Sequence, residues 1–348
     1  MFAADEPRQR VNRHVNRVST GLKSRNRRPA TWLRSLYRWL PDHVDARVRL
    51  IGWLSLAGQL LLVASGGAVR LTGSGLGCPT WPKCTADSLT TTPEMGIHGI
   101  IEFGNRMLTF VLTIIVILAF LFVMRMRAKR PDLFWLTFWL GMSIPVQAVV
   151  GGFTVLFRLN PYMVGVHFVL SIVLTIVTTV LVCRIHTTPS ARVLAVPPWF
   201  AWAAWIMAAF AMITVLVGIL TTGSGPHAGD ADTLRTGFDT EFMEHIHALP
   251  AYITAGFTLL LVGASIGLAV GPVRRFLALL VVVEVLQIGV GLLQANTGLP
   301  GILVGTHMVL SALLMSAVTA VLVNLTQPVE APEGATSRTS GAVASTSA

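Results

Sequence analysis

Charge is scarce in this chain. Asp, Glu, Lys and Arg together make up 12% of its residues, against about 25% in an ordinary soluble domain, so a water-facing globule is excluded. The formal net charge of +10 would suit nucleic acid only if it formed a groove. It is instead concentrated in the N-terminal arm and in short links between apolar runs, so no nucleic-acid partner is expected. No clean cleavage site follows the first apolar run, which also begins too far along the chain for a signal sequence. Cysteines and a carboxylate cluster are missing beside the histidines, which excludes a zinc centre of the usual kind.

What is present is hydrophobic length: 53% of residues are apolar and the mean hydropathy is +0.68. Eight apolar segments, at about 50–70, 98–124, 133–155, 163–183, 198–220, 245–270, 276–295 and 302–324, are each long enough to cross ~30 Å of hydrocarbon. With the N-terminus in the cytoplasm, 21 of the 26 Lys and Arg residues fall on inner segments. The positive-inside rule therefore puts both termini in the cytoplasm. Residues 1–49 read as a basic, disordered cytoplasmic arm in contact with membrane lipid. Asp5, Glu6, Asp42 and Asp45 argue against a mitochondrial presequence. Residues 326–348, poor in apolar side chains, read as a disordered cytoplasmic tail.

The chain repeats itself. Gly165-Val166-His167-Phe168-Val169-Leu170-Ser171 returns as Gly305-Thr306-His307-Met308-Val309-Leu310-Ser311. Gln147 and Gln287 stand 20 residues before the two histidines, and both matches share an offset of 140 residues. Glu102-x-x-Asn105 is echoed by Glu244-x-x-His247, and Thr72-Gly73-Ser74-Gly75 by Thr222-Gly223-Ser224-Gly225. A unit of four spans enters twice from the same side. The expected fold class is thus an all-α polytopic membrane protein of eight transmembrane helices. Two tandem four-helix bundles, 50–190 and 197–325, would be related by a pseudo-twofold axis along the membrane normal.

Ionisable groups inside such spans mark function. His98, His167, His245, His247 and His307 lie within about two turns of the outer ends of even-numbered helices. Histidines at one depth on two helices can hold one metal from opposite sides, which suits a bis-histidine haem; His247 offers itself as partner to His307. His245, two residues from His247, faces roughly 200° away. His98, Glu102 and Asn105 share a helix face some 60° wide. Glu102 could hold or move protons or stabilise a cation, or could form an ion pair with Arg106 at i+4. Arg106 and Arg70 could meet haem propionates. Cys78 and Cys84 share an outer loop where disulfides are permitted, as a staple or as a redox-active pair. Cys183 reads as packing.

These residues resemble the haem A synthase family over roughly 50–325. The likeness rests on Gly66-Gly67, Thr72-Gly73-Ser74-Gly75-Leu76-Gly77-Cys78, Trp81-Pro82-x-Cys84, Ile101-Glu102-Phe103, the two glutamine–glycine motifs and the two Gly-x-His motifs. The resemblance implies an enzyme that oxidises one methyl of haem O to the formyl of haem A for terminal oxidases, in a bacterial cell membrane. It implies haem b held by His247 and His307 in the C-terminal half, and haem O, the substrate, in the N-terminal half near His167. Glu102 matches the family's required glutamate, and Cys78 and Cys84 match cysteines beside the substrate site. An electron donor is implied, and the haem O synthase is a candidate partner. Two positions depart: Asn105 stands where the family commonly has histidine, leaving His167 alone or with His98 as second ligand, and Ala248 stands where arginine often follows His247. A di-haem electron carrier of the cytochrome b type is the chief alternative, and a transporter a third.

Overall fold

In the computed structural model the described residues are 37–227, 229–230, 233–268 and 270–329. The expectations for residues 1–36 and 330–348 lie outside them. Residues 1–40 and 41–348 form separate units, and all the long helices belong to the second.

Among the described residues eight helices are long and apolar enough to span a membrane: α1 (Ala46–Leu71), α2 (Gly96–Met124), α3 (Pro131–Leu156), α4 (Pro161–Ile185), α5 (Pro198–Ser224), α6 (Thr240–Gly267), α7 (Gly271–Asn296) and α8 (Gly301–Asn324). The protein is an all-α, multi-pass membrane protein. Most helices begin earlier than hydropathy places them, because capping turns are polar. Asp45 accepts a hydrogen bond from the Val48 N–H at 3.1 Å, and Asp239 one from Phe242 at 2.7 Å. Pro131, Pro161 and Pro198 occupy first-turn positions, where a missing N–H costs nothing. The first helix thus takes in Ala46–Arg49 from the stretch expected to be a disordered arm. Pro145 and Pro250 lie inside α3 and α6 without ending them.

Each set of four helices closes on itself. α1 packs on α2, α2 on α3, α3 on α4 and α4 on α1; α5 packs on α6, α6 on α7, α7 on α8 and α8 on α5. α8 also lies against α1 and α4, and α4 against α5. α1 and α8 accordingly have 44% of their apolar windows buried inside the protein, against 17% for α3, so α3 presents most of its surface to lipid. Leu112, Val116, Leu133, Leu140 and Leu181 fill the first set of helices, and Phe200, Met207, Leu261, Leu277 and Leu280 the second. Buried hydroxyls of Thr137, Thr175, Thr178 and Thr254 bond carbonyls four residues back, leaving no open donor in a medium without water. Thr179 meets Ser316 across α4 and α8 at 2.8 Å.

A short ribbon was not expected from the sequence. β1 (Arg192–Leu194) pairs antiparallel with β2 (Thr326–Pro328), Val193 opposite Gln327. β2 removes three residues from the segment read as tail, because the Arg192 guanidinium binds the Thr326 carbonyl and hydroxyl and fixes the chain there.

The loop between α1 and α2 lies directly on the bundle. A Cβ on Gly77 would overlap the main chain of His98 and Gly99, and one on Gly152 would overlap the Trp81 ring. Gly77→Ala should therefore destabilise by about 1–3 kcal/mol, since main chain cannot yield as a side chain can. Gly104→Ala, with nothing within 4 Å of its Cβ, should gain ~0.5–1 kcal/mol of helix propensity. Thermal unfolding of the two variants in detergent measures both; equal midpoints would contradict the close approach at Gly77.

Candidate functional site

Three histidines sit alike. His167 ends the second turn of α4 and His307 that of α8, and each ring lies against a glycine of the preceding helix. A Cβ on Gly151 would stand 3.1 Å from the His167 Cε1, and one on Gly291 would stand 3.1 Å from the His307 Cε1. His247, on α6, lies against Gly218 of α5 in the same way, at 2.7 Å. The Nδ1 atoms of all three are buried with no hydrogen-bond partner. Main-chain groups of Thr214 and Gln287 face the His247 and His307 rings, each four residues before the glycine concerned. Such outer contacts orient an imidazole for metal binding.

His247 and His307 face one another with ring centres 6.1 Å apart and planes at 74°. Two imidazoles binding one metal from opposite sides at ~2 Å, with ring centres roughly 1 Å behind the nitrogens, would place those centres about 6 Å apart. The spacing of the two rings therefore fits a haem iron held between the two histidines. Among the described residues no three His, Cys, Asp or Glu side chains converge on a metal position; a porphyrin supplies four nitrogens itself and needs only two ligands. Gln287 donates its amide to the His307 Nε2 at 3.2 Å. Its repeat mate Gln147 donates instead to the Ser171 hydroxyl at 2.9 Å and the His167 carbonyl at 3.4 Å, not to the His167 ring.

The first half lacks a matching pair. The Asn105 Oδ1 accepts a hydrogen bond from the Ser65 hydroxyl at 2.7 Å, so its amide belongs to the α1–α2 contact. His98 is bonded through Nδ1 to the Ser74 hydroxyl at 2.9 Å, and Ser74 to Thr72; it stands in the wall of a cavity of about 580 Å³ with Leu76, Pro79, Met95 and Asp230. A cavity of about 550 Å³ at the opposite end is lined by Arg49, Lys129, Arg130 and His186 among others. Neither is lined by His167, His247 or His307.

Glu102 is buried, with 4% of its surface exposed, and both oxygens are engaged. Oε1 takes the Arg106 guanidinium at 2.5 Å and Oε2 the Cys78 N–H at 2.6 Å. Arg106 also donates to the Cys78 and Thr80 carbonyls at 3.2 Å. The i+4 ion pair is thus present, and its work is to anchor the loop that carries the Cys78–Cys84 disulfide. Both cysteines are fully buried, with the Cys84 sulfur against Met95. Arg70 crosses to the second half, donating to the Thr222 carbonyl at 3.1 Å and the His227 carbonyl at 2.6 Å. His245 is exposed and bonded to the Glu241 carbonyl at 2.8 Å.

A family model described as cytochrome oxidase assembly protein (COX15-CtaA) matches residues 49–319. The chain belongs to that family. Three curated relatives bear the name heme A synthase. That of Bacillus pumilus is 34% identical over 130 residues, 36% of this chain and 41% of the relative. That of Lysinibacillus sphaericus is 29% identical over 131 residues, 36% of this chain and 41% of the relative. That of Staphylococcus epidermidis is 27% identical over 182 residues, 50% of this chain and 59% of the relative. The chain thus spans about two fifths of the first two relatives' length.

Sequence reasoning overlooked Ser65, Gly218 and Glu284. Glu284, a lone carboxylate within the seventh apolar run, was the one with a signal to find. It is 8% exposed and accepts the Thr258 hydroxyl at 2.8 Å.

Closing the short disulfide loop stabilises by about 2 kcal/mol in the chain-entropy account. The double change Cys78→Ser with Cys84→Ser should lower stability by that order, and thiol labelling of the native protein should reach no more than one thiol, Cys183. Rapid modification of three would contradict the buried bridge.

Proposed function

We propose that this protein is a haem A synthase, oxidising a methyl group of haem O to the formyl group of haem A in a bacterial cell membrane, with both termini cytoplasmic. The observation that carries the reading is the inequality of the two halves. One has two facing imidazoles with ring centres 6.1 Å apart; the other has His167 unpaired by a second imidazole, and a carboxylate fixed to an outer loop. A di-haem carrier would need two alike pairs, and among the described residues His167 has no imidazole opposite.

In this reading His247 and His307 hold haem b, with Gly218 and Gly291 giving their rings room. Bound there, haem b would supply electrons one at a time from a donor. His167 holds the iron of the substrate haem O, with Gly151 behind its ring. Asn105, an amide given over to Ser65, would offer the iron no second ligand, and His98 stays with Ser74 in the outer loop. Arg106 and Arg70, given over to carbonyls in this structure, would have to exchange them to meet propionates.

Glu102 has a narrower role than its spacing alone allows. Both oxygens accept hydrogen bonds from charged or main-chain donors, so it is a fixed negative charge rather than a proton carrier. Placed beside the substrate, it would stabilise positive charge developing at the methyl carbon, the part of the barrier that preorganised charge lowers most. The outer loop then excludes water and holds that charge still. Haem O would come from the haem O synthase, and lipid surrounds the exposed apolar faces.

His307→Ala and His247→Ala should each abolish the low-spin haem b absorbance while the purified protein still unfolds cooperatively; an unchanged spectrum in either removes the pair as ligands. Glu102→Gln keeps size and hydrogen bonding but not charge. Haem A formation should fall by about 10²-fold or more, the loss typical of removing one preorganised electrostatic group, with haem b retained. Normal haem A output from Glu102→Gln would count against the charged role.

A further inference from the structure

Glu284 is the one carboxylate among the described residues that lies deep within the C-terminal helices, midway along α7 (Gly271–Asn296) and 8% exposed. A charge at that depth is costly and has a task by default. Its partner is a hydroxyl: Thr258 on α6, fully buried, lies 2.8 Å from the Glu284 Oε1 and 3.3 Å from the Met207 sulfur. One hydroxyl proton has two acceptors there. With Glu284 ionised, the proton points to the carboxylate. With Glu284 protonated, the carboxyl can donate to Thr258, whose own proton turns to Met207. Both protonation states are accommodated by rotation of one hydroxyl.

Among the described residues no cation stands at this level. α8 carries only His307 as a titratable group and α5 carries none. Those of α6 are Glu241, Glu244, His245 and His247, in its first two turns, and the exposed Tyr252. On α7 itself Arg274 and Arg275 lie nine and ten residues away, roughly 14–15 Å along the axis. What does stand near is the histidine pair. Gln287, three residues (~4.5 Å) further along α7, has its amide 3.2 Å from the His307 Nε2. At the shared offset of 140 residues the first half has Ile144, so the carboxylate accompanies the two-imidazole site alone.

We propose that Glu284 is a redox-linked proton site for the haem that His247 and His307 hold, an inference that rests on the bis-histidine reading of that pair. Ferric iron between neutral imidazoles carries one more positive charge than ferrous iron. In a medium of low polarity that charge favours the ionised carboxylate. When the iron gains one electron from the donor, the carboxylate takes one proton from water and becomes a carboxylic acid. The net charge inside the bundle is then the same before and after.

The test is a potentiometric titration of haem b in the purified full-length protein at several pH values spanning neutrality. The reduced form holds the extra proton, so raising pH disfavours reduction. The reduction equilibrium constant should fall by up to tenfold per pH unit in the wild type, stay flat in Glu284→Gln and fall again in Glu284→Asp. Redox-induced infrared difference spectra of the wild type should gain a protonated-carboxyl band on reduction, which serves even where Glu284→Gln does not fold. No pH dependence in the wild type, an equal slope in Glu284→Gln, or no carboxyl band on reduction overturns the proposal. A wild type lacking haem b altogether overturns the bis-histidine reading and this inference with it.

Discussion

An imidazole that enters a helix bundle at membrane depth needs space beside it, and a helix yields that space only where a side chain is missing. Gly151, Gly218 and Gly291 do this for His167, His247 and His307, with ring carbons at 2.7–3.1 Å from where a Cβ would be. Packing in such interiors leaves no slack, so the depth, tilt and facing of each ring follow from the glycine behind it. The distance between the His247 and His307 rings is in turn set by how closely α5 meets α6 and α7 meets α8. Small residues let membrane helices approach; here the approach is spent on an aromatic ring instead of a backbone.

From that shared device the halves diverge. The first carries a stapled loop laid on the start of α2, with Gly77 against main chain, Trp81 against Gly152, and Glu102 and Arg106 stitched to loop carbonyls and an N–H. The second has a second imidazole and, below it, Glu284 with Thr258. One half holds a carboxyl group near its rim and the other holds one in its interior. Arg70 helps to join them: it leaves α1 and binds carbonyls at the end of α5 and beyond it, beside a main-chain bond from the Gly75 N–H to the Gly229 carbonyl.

Much of this architecture was legible in the residues alone. The spans were, because the cost of polar groups in hydrocarbon writes itself into composition, and the recurrence of His167 at His307 pointed to the shared setting. The Glu102–Arg106 pair was legible as one of two alternatives, because i+4 spacing is local. What could not be read depends on partners far away in sequence. Ser65 with Asn105 is a contact between helices whose rotation hydropathy does not fix. Arg70 looked available for an anionic ligand because its carbonyl partners are 152 and 157 residues distant. The helix starts were misplaced by a few residues because Asp45 and Asp239 are polar by virtue of capping. The strand at Thr326–Pro328 was missed because its partner precedes it by four helices.

That strand has a consequence for how the chain is made. Arg192–Leu194 leave the ribosome long before Thr326–Pro328, and four membrane helices are threaded between them. The first strand therefore waits, unpaired at the membrane surface, throughout insertion of α5 to α8. Its pairing reports that the last helix has been delivered in the right orientation, since a reversed α8 would carry β2 to the other side of the bilayer. The ribbon closes the second set of helices as a clasp, and it closes only after the whole set has been correctly inserted.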